Sequence, residues 1–305
     1  MIARLDRLGP VAKEVGQIGA VLGRDFSYDL IEQVTQRAAA ELQSGLDRLA
    51  EAELLFCRGV APQSSYLFKH ALVQDAAYST LLRARRQELH SRVAAVLEGD
   101  FADLVERQPE LLAHHLTAAG DTEHAVDQWL KAGRYAAERS THLEAIGHFD
   151  RGLSALAAFP EGPARDRRDI ELQLARGVSL FAAKGLDFVE VTKAYTRARE
   201  LAEQLGDTRQ LAMAVYGLWL AVAVSGRTLA SRPLSDRLLK LTAGEADDGL
   251  RLQAHHSAWT TCLFAGDPAA AREHAEAGRR LYDRERHRSH RLLYGGHDPA
   301  CVRAT

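Results

Sequence analysis

Four segments of this 305-residue chain repeat one pattern at a near-constant interval. They are EAIGHFDRGLSAL (Glu144–Leu156), EVTKAYTRARELA (Glu190–Ala202), LASRPLSDRLLKL (Leu229–Leu241) and AAAREHAEAGRRL (Ala269–Leu281). Aligned, they place Phe149, Tyr195, Leu234 and His274 at one shared position, 46, 39 and 40 residues apart. A unit of this length cannot bury its apolar face alone. It has to cover that face with its neighbours, and the outcome is a stack of helical hairpins.

The interval matches helical hairpins of the tetratricopeptide kind, somewhat lengthened. The segments between the repeats agree with that reading. From about Pro109 onward no strand pattern occurs, and helical periods are interrupted at Gly120-Asp121, Phe159-Pro160, Gly206-Asp207, Gly226, Gly244 and Gly266-Asp267. In each Gly-Asp pair the glycine ends one helix and the aspartate caps the next. The uncharged run LAMAVYGLWLAVAV (Leu211–Val224) is too short to span a bilayer and reads as a buried helix. Trp129, Trp219 and Trp259 fall among apolar neighbours inside helices, which predicts packing between hairpins.

The N-terminal third reads differently. Pro10 stands at a helix start before apolar residues at Val11, Val15, Ile18 and Leu22, and Gly23 ends that helix. Ser27 caps a second helix, and Leu42, Leu46 and Leu49 mark a third over Ala39–Ala52. The period then changes to two short strand-like runs, Leu54–Gly59 and Ser64–Lys69, with a turn between them. Three helices followed by a β-hairpin is the order of a winged-helix unit. A long helix over Ala71–Arg86 is expected to follow.

The expected fold is therefore mainly α: a helical, winged-helix-like domain with a small β-hairpin over 1–104, then a tetratricopeptide-like α-solenoid of four to five hairpins over 105–305. The end of the chain, with Gly295-Gly296 and Pro299, reads as a last repeat cut short. Thirty-nine basic and 41 acidic residues leave a net charge of -2, which calls for neither nucleic acid nor a membrane. Cys57, Cys262 and Cys301 lie far apart with no CxxC, which fits a reducing cytoplasm and gives no zinc motif.

Four blocks in order carry a family resemblance: ARLDRLGPVAKEVGQIGAVLGRDFSYDLI, YLFKHALVQDAAYSTLL, HHLTAAGDTEHAVDQWLKAGRYA and LYGGHDP. They resemble the C-terminal half of bacterial signal-transduction P-loop ATPases. Many of those carry an N-terminal class III adenylate or guanylate cyclase domain, a central ATPase domain, a winged helix and tetratricopeptide repeats. The resemblance implies a regulatory fragment. Its repeats bind a protein partner, a sensor signal or an intramolecular ATPase domain, and its winged helix relays the event to the ATPase core. Oligomerisation is left open.

The chain departs from the family in lacking GxxxxGK[ST]; it contains no Gly-Lys dipeptide at all. The expectation is thus a non-enzyme with no catalytic residues and no cofactor of its own, ATP or ADP entering only with an ATPase domain. Two alternatives remain: a nucleotide-dependent enzyme, ATPase or cyclase, whose catalytic domains lie elsewhere, and a DNA-binding regulator using the winged helix. Against the second, the expected recognition helix near Ala39–Ala52 is not basic.

In the resembled family a winged-helix histidine at a helix start reaches the diphosphate of bound ADP. Here Lys69-His70-Ala71-Leu72-Val73-Gln74-Asp75 is similar, and His70 matches that histidine, with Ala71 departing where the family has Asp. A helix N-terminus favours anions, and an imidazole donor and the Lys69 ammonium would add to it. Other candidates are weaker. His114-His115 and His255-His256 are adjacent pairs, set about 100° apart on a helix, a poor geometry for one metal. Glu98, Asp100, Asp103 and Glu106 read as solvated carboxylates, and the basic run Arg279–Arg291 as a solvated repeat surface.

Overall fold

The computed structural model describes residues 2–184, 188–288 and 290–294. Cys301 and the Gly295-Gly296 and Pro299 breaks lie outside the described residues. The chain divides into two compact units, 1–128 and 129–305.

The first unit begins with helices α1 (Ile2–Asp6) and α2 (Pro10–Leu22), strand β1 (Asp25–Ser27), and helices α3 (Tyr28–Thr35) and α4 (Ala39–Glu51). A hairpin of β2 (Leu55–Arg58) and β3 (Ser65–Phe68) follows, then helices α5 (Ala71–Ser79), α6 (Arg83–Asp100), α7 (Ala102–Arg107) and α8 (Pro109–Ala119). Pro10 occupies the first turn of α2, where a missing N–H costs nothing, and Ser27 Oγ accepts the Leu30 N–H at 3.2 Å to start α3. The apolar faces of α2 and α4 meet: Ala12, Val15 and Ile18 are buried with Leu42, Leu46 and Leu49.

β3 is the centre of a three-stranded antiparallel sheet in the order β1-β3-β2. The registers pair Phe26 with Tyr66 and Leu55 with Phe68. The sequence pattern predicts the hairpin but not β1. Three residues carry no readable alternation, and only pairing with β3 makes them a strand. The expected single helix over Ala71–Arg86 is instead two. Thr80 Oγ1 bonds back to the Ala77 carbonyl at 2.6 Å and receives Gln17 Nε2 at 2.8 Å, and the turn this fixes buries Leu81. That combination ends α5 and restarts the chain as α6.

The second unit is a helical solenoid. Its helices are α9 (Thr122–Glu138, from Trp129 onward in this unit), α10 (His142–Leu156), α11 (Pro163–Lys184), α12 (Phe188–Leu205), α13 (Thr208–Val224), α14 (Arg232–Thr242), α15 (Asp248–Phe264), α16 (Pro268–Leu281) and the short α17 (His290–Leu293). From α10 to α16 each helix packs on the next. α10, α12, α14 and α16 are the second helices of four hairpins, and the four aligned sequence segments fall on them, with Leu229–Ser231 in a short 3-10 turn before α14. The Gly-Asp breaks work as their chemistry requires. Gly206 and Gly266 have φ of 67° and 75°, and the next aspartates, Asp207 and Asp267, accept from Gln210 N at 2.9 Å and Ala270 N at 3.0 Å.

Two of the four aligned positions serve one purpose in the packing. Phe149 on α10 lies where a Cβ on Gly133 of α9 would stand. Tyr195 on α12 is clasped between Gly177 of α11 and Gly217 of α13 in the same way. The missing Cβ atoms let the helices close on a full aromatic ring. The three tryptophans are buried as the sequence predicts, at 4%, 1% and 5% exposure for Trp129, Trp219 and Trp259.

Candidate functional site

His70 sits at the N-cap position of α5, two positions after the end of β3, with extended backbone angles of -137° and 141°. Its carbonyl accepts the Val73 N–H at 2.9 Å, which sets the first turn of α5. Its side chain is exposed and makes no capping hydrogen bond. The first turn of α5 holds no acidic residue, so nothing there repels an anion. Leu72, beside it, is 69% exposed.

Lys69 is placed beside His70 but is already engaged. Its Nζ lies 3.0 Å from Glu53 Oε2 and 5.4 Å from the centre of the Phe56 ring. The hydrogen bond and charge of Lys69 hold the Glu53 carboxyl below its ordinary range. Of the two residues singled out in the sequence, His70 presents its side chain to solvent and Lys69 staples the end of β3 to the α4–β2 turn.

His115 is part of a buried chain that the sequence reading missed. Tyr78 OH lies 3.0 Å from His90 Nε2, and His90 Nδ1 lies 2.9 Å from His115 Nδ1. His90 and His115 are each 1% exposed, and the His114 ring borders both. Burial above all, with the neighbouring imidazoles adding, pushes His90 down to about 4 and His115 down to about 3. A signal was present: His90 shares a helix face with Val93, Ala94 and Leu97, and His115 with Leu112 and Leu116. Among the described residues, no group of three His, Cys, Asp or Glu side chains is placed to hold a metal ion. Glu98, Asp100, Asp103 and Glu106 are all exposed.

The second unit offers a surface of another kind. Its hairpins' first helices, α9, α11 and α13, border a groove of about 470 Å³. Phe149, Leu174, Val178 and Met213 give it an apolar floor. Arg134, paired to Glu171 at 3.2 Å, and Arg209, 3.8 Å from Asp247, stand at its rim. No helix among the described residues is long and apolar enough to cross a membrane.

No protein-family profile matches the chain. An uncharacterized protein of Rhizobium meliloti (strain 1021) is 27% identical over 299 residues, which cover 97% of this chain and 29% of that protein. The chain thus spans less than a third of that relative's length. Among solved structures, a signal-transduction ATPase with numerous domains, with a tetratricopeptide repeat sensor, from Pyrococcus horikoshii aligns over 96% of this chain and 54% of its own. That alignment has 10% identity and a TM-score of 0.47.

Proposed function

We propose that this chain is a regulatory module of a signal-transduction ATPase and not itself an enzyme. The stacked hairpins of 129–305 take up a protein partner or sensor signal, and the first unit passes the event to a P-loop ATPase core. The observation that carries the reading is the hairpin stack with its apolar groove, a surface built for segments of protein. The order helix, strand, helix, helix, hairpin in the first unit supports a winged-helix relay. His70 supports a nucleotide contact: an exposed imidazole at a helix start, free of any capping bond, suits the diphosphate of ADP on a facing ATPase core. Such a contact made in one domain arrangement only would bias the core toward that arrangement.

The test measures ATP turnover by the ATPase polypeptide that acts with this chain, with native His70 and with His70→Ala. Loss of the ADP contact should release the closed state and raise basal turnover at least fivefold. Unchanged turnover, with ADP bound equally tightly by both proteins, removes His70 from the nucleotide site. ATP hydrolysis by the chain alone would overturn the non-enzymatic assignment.

A further inference from the structure

Beyond α16 the chain turns back across α15, α13 and α11, the first helices of three hairpins. Asp283 Oδ1 accepts from Glu285 N and Arg286 N at 2.9 and 2.8 Å, which closes the turn, and Arg286 reaches Asp248 on α15 at 3.4 Å. His290 Nδ1 lies 2.9 Å from Gln253 Nε2, and its ring fills the space that a Cβ on Gly249 would need. The Tyr294 ring stands edge-on to Tyr216 of α13 at 5.2 Å. Leu293 enters the lining of the groove, and α17 packs on α11. His287, His290 and Tyr294 are each 6% exposed. The basic run was expected to be a solvated repeat surface; Arg284 and Arg286 do face solvent, but His287 and His290 are buried.

A four-residue helix has no stability of its own, so the groove face holds this strap in place. Beyond Leu293 the groove lining continues over α11, α13 and α9. Ser179 Oγ and Gln210 Oε1 lie in that stretch, buried and with no hydrogen-bond partner among the described residues. A peptide backbone carries the N–H and C=O groups that such orphaned atoms need.

We propose that this groove is a docking site for a peptide segment bearing an aliphatic residue followed by tyrosine, with Leu293 its built-in occupant at one end and Tyr294 the anchor beside it against Tyr216 of α13. The strap is an intramolecular competitor that a partner has to displace. The inference rests on the reading of the hairpins as a protein-binding surface and adds the chemistry of the ligand and its regulation. A tethered segment acts at an effective concentration of about millimolar, so it masks the site from weak ligands.

The test uses the full chain and a fluorescein-labelled synthetic peptide copying Asp283–Tyr294, followed by anisotropy. The double variant His290→Ala with Tyr294→Ala should bind this peptide at least tenfold more tightly than the native chain. Adding Met213→Glu on the groove floor should remove that gain. Equal binding by the native chain and the folded double variant, or a gain that survives Met213→Glu, overturns the proposal. Should the double variant lose its helical circular dichroism, hydrogen exchange on the native chain decides. Strap amides are expected to exchange at least tenfold faster than those of α13 and α15, and equal rates overturn the proposal. Neither measurement involves nucleotide or an ATPase, so its failure is distinguishable from failure of the ATPase reading.

Discussion

The two units reach order by opposite routes. In the first, the joints connect residues far apart in sequence: Gln17 to Thr80, and Arg85 to Glu14 across 71 positions. Glu14 takes both Arg37 and Arg85, and these run on to Glu41 and Glu88, tying α2, α6 and the α3–α4 connection into one network. In the second unit each helix packs mainly on the next one along the chain. Non-local joints form together or not at all, whereas a stack of nearest neighbours is close to a sum of local terms. The first unit is thus fastened by distant side chains, and the second by contacts between successive helices.

The sharpest way to break this contrast is Trp219→Ala. The indole is 1% exposed and donates to Thr261 Oγ1 at 3.0 Å, so its removal should cost about 4 kcal/mol. If the stack is a sum of neighbours, hydrogen exchange will speed up in α13 and α15 and change little in α10. Uniform loss of protection across 129–294 would show that the repeats unfold as one body.

The histidine chain gives the next largest effect, in the first unit. His90 is neutral when folded and pushed down to about 4, whereas it takes a proton near 6.5 when unfolded. The unfolded state therefore binds more protons between these values. The contribution is intact above pH 6.5 and is lost as pH falls toward 4, by about 3 kcal/mol from this one group. Urea midpoints at pH 7, 5.5 and 4 should fall accordingly, and His90→Phe should flatten the trend. A native chain with an unchanged midpoint at pH 4 would contradict the buried neutral assignment.

Asp207→Ala tests the locality of the solenoid from its caps. Losing the bond to Gln210 N should cost about 1 kcal/mol, and the exchange of the first turn of α13 should show it. Glu14→Gln comes last. Its partners are about a third exposed, so the expected loss is below about 1 kcal/mol and should shrink further in 1 M salt. A larger loss that persists in salt would mark the network as the main fastening of the first unit.

His70 and Lys69 show how far a candidate site can be read without a fold. Their place at the strand-to-helix corner was legible, because the apolar period changes from two to 3.6 there. That Lys69 is committed to Glu53 was not, since Glu53 lies across the hairpin and no period links them. His90 lay on a readable apolar face, but its partner His115 is 25 positions away. The groove was legible only as a stack of repeats. Ser179, Gln210 and Met213 carry no motif, and they become neighbours only when α11 meets α13.

By itself, then, the sequence determined the helices of the solenoid, the order of the hairpins and their Gly-Asp joints, because periods and caps act within about four residues of chain. It also determined which residues fill the core, since an apolar helix face has to be covered. The packed structure was needed to show that Asp25–Ser27 is a strand, that one expected helix is two, that two histidines share a buried hydrogen bond, and that the basic run folds back onto α15. Each of these depends on a partner 25 or more residues away, and closing such a distance is set by the packing of the whole unit rather than by any local preference.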